Sequence, residues 1–430
     1  MAEIGVRLKF GSDAEIKNTM KKTALINGMI IDGTGRLPLE RGTVIVAGSA
    51  IEAVGAAADV PVPEDCETYD VRDSTVLPAF IDGHMHVSRE PGRLDHLGHL
   101  KTNLEAVGKL QKCLQWGTGT VGHAAGSPES MILRDLIQAD LVEGCSDLLV
   151  GAVVTPTCGH VRGRSADGPW EIRKAVREMI GAGADWIKTC ASGGFQHEHE
   201  KLTHEDYTLE ELRTLVDQAH SRDKRVHVHA HAQPGLANAI KAHCDVILHG
   251  ALIDDTALEG IAAKNLWYMP TLHITSEQVW NNKSIPSYMA ERMKQACPIH
   301  RAGVAKANKM GIRIAVGTDG GPGSIMNELS ELVNCGLSPM EAIVAATRNT
   351  ADALGILDKT GTLEAGKRAN IVVVKGNPTR DIAMLISPDC VALVMKDGEI
   401  VRLGELDTAR IRTIREPEDN QCHTKKVRPK

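Results

Sequence analysis

Along the chain the apolar positions change their period several times, and each change marks a unit. Residues 1–21 are polar and mixed in charge, and read as an N-terminal extension. From 22 to 75 the short apolar runs TALINGMIID, GTVIVAG, SAIEAVG and CETYDVR are separated by turn residues, a spacing that predicts a small all-β unit. The same texture returns over 362–404, in GTLEAGKRANIVVVKGN and DCVALVMKDGEIVRL. The two patches predict one composite β-sandwich domain with a larger domain inserted between them. Residues 405–430 are charged and contain proline, and read as a C-terminal surface tail.

The insert, 76–361, alternates strand and helix signals. Candidate strands are VLPAFIDGHMHV (76–87), GTVGHA (119–124), DLLVGAVVTP (147–156), DWIKTCAS (185–192), RVHVHAH (225–231), DVILHG (245–250), LWYMPT (266–271) and RIAVGTD (313–319). Helical stretches separate them, among them TLEELRTLVDQAHSRDK, whose TLEE offers a capping-box start. Eight such repeats predict an α/β fold, a (β/α)8 TIM-type barrel with the small β-sandwich domain built from the N- and C-terminal flanks. A doubly wound open sheet is the competitor, but no GxGxxG follows any strand.

Composition narrows the function classes. With 49 Lys+Arg against 55 Asp+Glu and a net charge of -6, the chain lacks the basic surface of a nucleic-acid binder. No apolar run approaches the roughly 18 residues of a membrane span, and the N-terminus lacks the apolar core of a secretory signal, so the expectation is a cytoplasmic protein without a membrane partner. The ten cysteines form no CxxC pair in a chain too long to need a disulfide framework, and read as free thiols. Of 18 histidines, 17 lie between residues 84 and 300, so the histidine chemistry belongs to the inserted domain.

In such a barrel the C-terminal strand ends converge on one face, where residues distant in sequence share a site. The first strand ends in His84-Met85-His86, with both imidazoles on one side by period-two alternation. The fourth carries Lys188, the fifth His227, His229 and His231, the sixth ends in His249 and the eighth in Asp319. One histidine at a strand end is usually a packed residue. Four strand ends bearing imidazoles and a carboxylate together outline a metal site. Nitrogen and carboxylate donors without thiolate suit zinc, with manganese, cobalt or iron as alternatives. Lys188 is not a ligand as an ammonium, but a buried neutral lysine can add carbon dioxide and become an anionic, bidentate carbamate.

PAFIDGHMH, DWIKTCASGG, VHVHAH, ILHG and VGTDGG, followed by TRNTADALGILDKTGTLEAGKRANIVVV, closely resemble the amidohydrolase superfamily. The nearest branch is the imidazolonepropionase-like and Xaa-Pro dipeptidase-like (prolidase) group, which includes ochratoxin-degrading amidohydrolases. The resemblance spans 22–404. It implies two divalent metal ions, most simply zinc, in a distorted (β/α)8 barrel. His84 and His86 match the ligands of the more buried metal, Lys188 matches the carbamylated bridging lysine (N6-carboxylysine), and His229 and His249 match the ligands of the second metal. Asp319 matches the aspartate that both ligates metal and shuttles the proton. His160 matches a histidine used at the substrate carbonyl, and His227, one pleat deeper than His229, reads as packed. The implied chemistry is hydrolysis of an amide-type C-N bond in a small molecule by a metal-bridged hydroxide. Family members often form homo-oligomers.

The loops after the strands should select the substrate. His123, Arg162, Arg164 and His231 are the candidate substrate contacts, the arginines for a carboxylate. His197, His199 and His204, interleaved with glutamates, read as surface residues, and 272–300, with Trp280 and Tyr288, as a candidate lid. Three positions depart from the family pattern: Gly122-His123 stands where Arg-Asp is common, His231 where Tyr is, and Ala79 where Gly is. A proline-dipeptide specificity therefore does not carry over; N-acyl amino acids, dipeptides and aryl amides lead, with urea or carbamate xenobiotics as the alternative. A mononuclear deaminase or a cyclic-amide hydrolase of the same superfamily is a further alternative, of which retention of Lys188 argues against the mononuclear version; a non-catalytic scaffold conflicts with all six ligand positions being filled.

Overall fold

A computed structural model describes residues 22–88, 96–142, 144–404 and 411–412, so the N-terminal extension and most of the expected tail lie outside the described residues. The strands run β1 (Lys22–Ile30), β2 (Leu39–Ala47), β3 (Ala50–Ala56), β4 (Cys66–Asp70), β5 (Ser74–Pro78), β6 (Phe80–Met85), β7 (Thr118–Gly126), β8 (Asp147–Thr155), β9 (Arg164–Ser165), β10 (Trp186–Cys190), β11 (Val226–Ala230), β12 (Val246–His249), β13 (Trp267–Met269), β14 (Ile371–Lys375), β15 (Val391–Lys396), β16 (Glu399–Leu403) and β17 (Ile411–Arg412).

The first sheet draws on both flanks, in the order β16-β15-β14-β5-β1-β2-β3, with β4 on β1 and β17 on β4. Its central seam is antiparallel, Ile371 of β14 facing Pro78 of β5. Leu25, Val44, Val76, Ile371, Val373 and Leu393 form its apolar core, each side chain worth about 1.5–3 kcal/mol when fully buried. Ile411 and Arg412, in the expected tail, pair with Tyr69 and Thr68.

The single strand expected over 76–87 divides at Ala79. The Ala79 N–H donates to Asn370 O in the first sheet, and the Phe80 N–H donates to Gly117 O in the second. One continuous extended run thus serves two sheets, because only its hydrogen-bond partners change.

The second sheet is parallel, in the order β6-β7-β8-β10-β11-β12-β13, with the short β9 on β8. The stretch 313–319 supplies the eighth position. It bridges Tyr268 of β13 through Ile314, Val316 O accepts from the Gly83 N–H, and His84 O accepts from the Thr318 N–H. It is no regular strand because the Val316 N–H is taken by the Thr350 hydroxyl. The barrel is nonetheless closed there, as the (β/α)8 pattern requires.

Around the sheet lie α1 (His96–Gln115), α2 (Pro128–Gln138), α3 (Gly168–Gly181), α4 (Leu209–His220), α5 (Gly235–Lys241), α6 (Asp255–Ala263), α7 (Glu277–Trp280), α8 (Ser287–Lys309) and α9 (Ser324–Asn334). The Thr208 capping box that starts α4 forms as expected. Leu110, Val150, Ile172, Leu215, Val228, Ile247 and Leu258 join one apolar cluster between strands and helices. On β11, Val226, Val228 and Ala230 belong to that cluster, which leaves His227, His229 and His231 to the barrel interior. Among the described residues no helix is long and apolar enough to cross a membrane.

The two sheets are pinned together at Asp147, where β8 begins. Its buried carboxylate receives Arg368 at 2.6 Å and Lys396 at 3.3 Å, and Arg368 also holds Asp397 at 2.6 Å.

Candidate metal centre

The alternation of β6 sends Asp82, His84 and His86 to the barrel interior while Met85 and Val87 pack outward. The buried Asp82 carboxylate accepts the His84 N–H (3.2 Å), the Thr318 N–H (3.1 Å) and the Thr318 hydroxyl (2.7 Å). It thereby ties the first strand end to the eighth. Asp319 follows directly, its N–H donating to His84 O at 2.7 Å. Its carboxylate lies 3.0 Å from His86 Nε2 and 3.6 Å from His84 Nε2.

His249 reaches the same place by a different device. On β12 its phase matches Ile247, which packs outward, but a left-handed backbone (φ 70°) turns the strand end. Its ring then packs 5.0 Å from His84, 4.6 Å from His229 and 4.9 Å from His231. Thr271 (φ 53°) and Asp319 (φ 51°) are left-handed too, conformations that cost of order 1–3 kcal/mol each for residues other than glycine and persist where the surroundings fix them. Those surroundings are explicit. His249 Nδ1 meets the Thr271 hydroxyl at 2.7 Å, and the buried His300 of α8 donates Nε2–H to His249 O at 2.8 Å.

Nitrogens of His84 and His249 and a carboxylate oxygen of Asp319 all lie within 4.8 Å of one another. Burial, with the Lys188 ammonium adding to it, pushes His84 down to about 4. Burial first and neighbouring imidazoles second push His229 and His249 well below the ordinary histidine value. These rings are therefore neutral near pH 7 and present lone pairs. Burial alone would raise Asp319, but the hydrogen bonds from His84 and His86 outweigh it and hold the carboxyl well below its usual range. Lys188, 1% exposed on β10, is pushed down to about 8 by burial, and its charge is felt by His84, His229 and His249. A lysine with that pKa holds an appreciable neutral fraction at pH 7 to 8.

The remaining candidates separate. His160, in the loop after β8, is buried, and its ring stacks on His229 at 4.1 Å. His231 lies in the same cluster, 4.5 Å from His229 and 4.9 Å from Phe195, and its buried Nδ1 has no hydrogen-bond partner among the described residues. His227 stacks at 4.9 Å on Trp186, deeper in the barrel. His123 does not present a free edge to the site. It is fully buried, with Nδ1 at 3.3 Å from Met85 O and Nε2 at 2.8 Å from the Ser88 hydroxyl, so it braces the chain leaving β6. Arg164 pairs with α3, its Nε donating to Glu178 at 2.9 Å. Arg162 is exposed. His197, His199 and His204 are exposed as expected.

The stretch 272–300 is ordered structure rather than open loop. A 3-10 turn (Leu272–Thr275), α7 and the start of α8 dock on the loop after β10 through Tyr288 OH to Gln196 O (2.6 Å) and Arg292 to His197 O (2.8 Å). The Glu328 carboxylate of α9 holds the turn by accepting the Leu272 and His273 N–H groups at 2.8 and 2.7 Å. Sequence reasoning did not single out Asp82, Thr271, His273, Glu200 or Glu328. For Asp82 a signal existed, since it stands two residues before His84 in the same period-two series.

The profile of the Amidohydrolase family matches residues 75–401. The chain is 27% identical over 420 residues to ochratoxinase of Aspergillus niger, covering 89% of this chain and 87% of that one. It is 25% identical over 403 residues to imidazolonepropionase of Deinococcus radiodurans, covering 84% and 92%. A crystal structure of a Xaa-Pro dipeptidase with bound methionine in the active site superposes with a TM-score of 0.80 at 27% identity, over 88% of this chain and 99% of that one. The chain belongs to the amidohydrolase family. It is a hydrolase that acts on carbon-nitrogen bonds.

Proposed function

We propose that the protein is a two-metal hydrolase of linear amide bonds in small molecules, such as N-acyl amino acids, dipeptides or aryl amides. The observation that carries this reading is the convergence of His84, His249 and Asp319 donors within 4.8 Å, beside the buried Lys188. Neutral imidazoles and an ionised carboxylate suit a divalent ion such as zinc. His84, His86 and Asp319 would hold one ion, and His229 and His249 the other. Lys188 would lie between them as its carbamate, formed when the neutral amine adds carbon dioxide and releases a proton.

Bound divalent ions supply Lewis acidity, which lowers the pKa of water and polarises a carbonyl. The protein groups do the rest. Asp319, held ionised by His84 and His86, is placed to accept a proton from the attacking water and deliver it to the leaving nitrogen. His160, packed on His229, faces the carbonyl of the scissile amide. His231 offers its unpartnered Nδ1 to the substrate, a role the sequence also allowed to Arg162, Arg164 and His123. The names of the relatives favour amides: an ochratoxinase, and a dipeptidase whose structure holds methionine, a free amino acid.

Elemental analysis of metal-replete protein should return about two ions per chain; one ion favours the mononuclear deaminase reading. Asp319→Asn should abolish turnover in a panel of N-acyl amino acids, dipeptides, aryl amides, phenylureas and carbamates while metal stays bound. Turnover confined to ureas or carbamates would replace the amide assignment with the xenobiotic one, and an Asp319→Asn variant of normal rate would remove the proton-shuttle role.

A further inference from the structure

Three residues of one loop converge on His160. His160 Nδ1 lies 2.8 Å from Glu200 Oε1, and its backbone N–H donates to Asp206 Oδ2 at 2.9 Å. Its ring stacks on His229 at 4.1 Å with an interplanar angle of 23°. Gly194 crowds the same ring, and any side chain there would overlap the imidazole. Glu200, Asp206 and Gly194 all belong to the loop after β10, whereas His160 comes from the loop after β8. Glu200 is buried beneath a run of exposed residues, Gln196 to His199, and its second oxygen has no hydrogen-bond partner among the described residues.

A carboxylate can only accept, so Nδ1 must carry the proton in this pair. The bond fixes the ring's tautomer and its rotation together, and leaves Nε2 as the nitrogen that can meet a substrate. We propose that Glu200 is a positioning residue of the hydrolase: it locks His160 so that Nε2 faces the scissile amide. The assignment rests on the amide-hydrolase reading above. Burying a carboxylate for packing alone is costly, and a loop that only covered the site would need neither this acid nor a glycine shaped to the ring. The arrangement parallels the general use of a carboxylate to hold a functional imidazole in one orientation.

The test uses the metal-replete full chain with hippuryl-L-phenylalanine as an N-acyl amino acid probe, and compares Glu200→Ala, Glu200→Gln, His160→Asn and the Glu200→Ala/His160→Asn pair. Glu200→Ala should lower kcat about 10- to 100-fold with KM moving less than about threefold. Glu200→Gln keeps an acceptor oxygen of the same reach and should recover most of that loss. In the His160→Asn background the Glu200→Ala change should cost nothing further, because it acts through a ring no longer present. A full, additive cost in that background overturns the proposal. A crystal structure of Glu200→Ala gives a readout that needs no turnover: the His160 ring should leave its stack on His229, and an unmoved ring overturns the proposal as well. Asp319→Asn run alongside separates the two levels. If it retains wild-type rate, the proton-shuttle role of Asp319 falls; if wild type turns over no amide in the panel, the amide-hydrolase reading falls; if Asp319→Asn is inactive while the Glu200 effects are additive, only the role of Glu200 falls.

Discussion

At the scale of single residues, the site is a set of groups whose charge states are set by burial and, at Asp319, by the hydrogen bonds that outweigh it. Lys188 is the clearest case. With its pKa brought down to about 8 by desolvation, it is an amine ready to add carbon dioxide, and intact mass or electron density of metal-loaded protein should show carbon dioxide on that side chain. An unmodified Lys188 in such a sample would defeat its bridging role. Asp82 has a supporting part: it gathers the backbone of His84 and the N–H and hydroxyl of Thr318. Asp82→Ala should therefore strand the buried His84 N–H and Thr318 hydroxyl at about 1–3 kcal/mol each and weaken metal binding about 10- to 100-fold, read by urea titration and by metal competition with a chelator. The metal-ligand candidates were legible because a strand end fixes where a side chain points. The partners of Arg164 and His123, Glu178 and the Met85 carbonyl with Ser88, were not legible because packing chooses them and no local spacing announces it. Glu200 was hidden for the same reason, one buried acid in a run of exposed ones.

At the scale of elements, seven of the eight expected barrel strands appear, each where a short apolar run predicts it. The eighth, 313–319, keeps its position but not its ladder, since side-chain hydroxyls of Thr350 and Thr318 and the carboxylate of Asp82 intervene. The stretch 272–300 was legible only as something above the site. What fixes it is Glu328, a fully buried carboxyl raised by burial to about 8 despite accepting two N–H groups. The folded protein thus keeps a proton there that the unfolded chain releases near the ordinary glutamate value of 4.5. Stability must fall as pH rises between those two values, by up to about 1.4 kcal/mol per pH unit. Glu328→Gln should flatten the dependence of urea midpoints between about pH 5 and pH 8; parallel curves for the variant and wild type would show that Glu328 does not carry that proton.

At the scale of the whole molecule, the barrel and the first sheet are one mechanical unit. The return of β texture after the insert made the composite sheet legible from sequence; the clamp at Asp147 was not, because its partners Arg368 and Lys396 lie at the far end of the chain. Asp147→Ala leaves Lys396 without its buried counter-charge while Arg368 keeps Asp397, and should destabilise the protein by about 1–3 kcal/mol. Thermal unfolding followed separately by calorimetry and by tryptophan fluorescence, with all five tryptophans, should remain a single transition in wild type and split in the variant. Two coincident transitions in the variant would show that the apolar contacts between the sheets suffice without the clamp.

The seam between β5 and β14 also orders events on the ribosome. β1 to β5 leave the exit tunnel early, but Pro78 meets Ile371 only after the complete barrel has been synthesised. Until then the nascent sheet carries an open edge along Ser74–Pro78, all five residues of which are buried in the finished protein. Translation of the long insert is therefore the period in which this chain is most exposed to strand-to-strand aggregation.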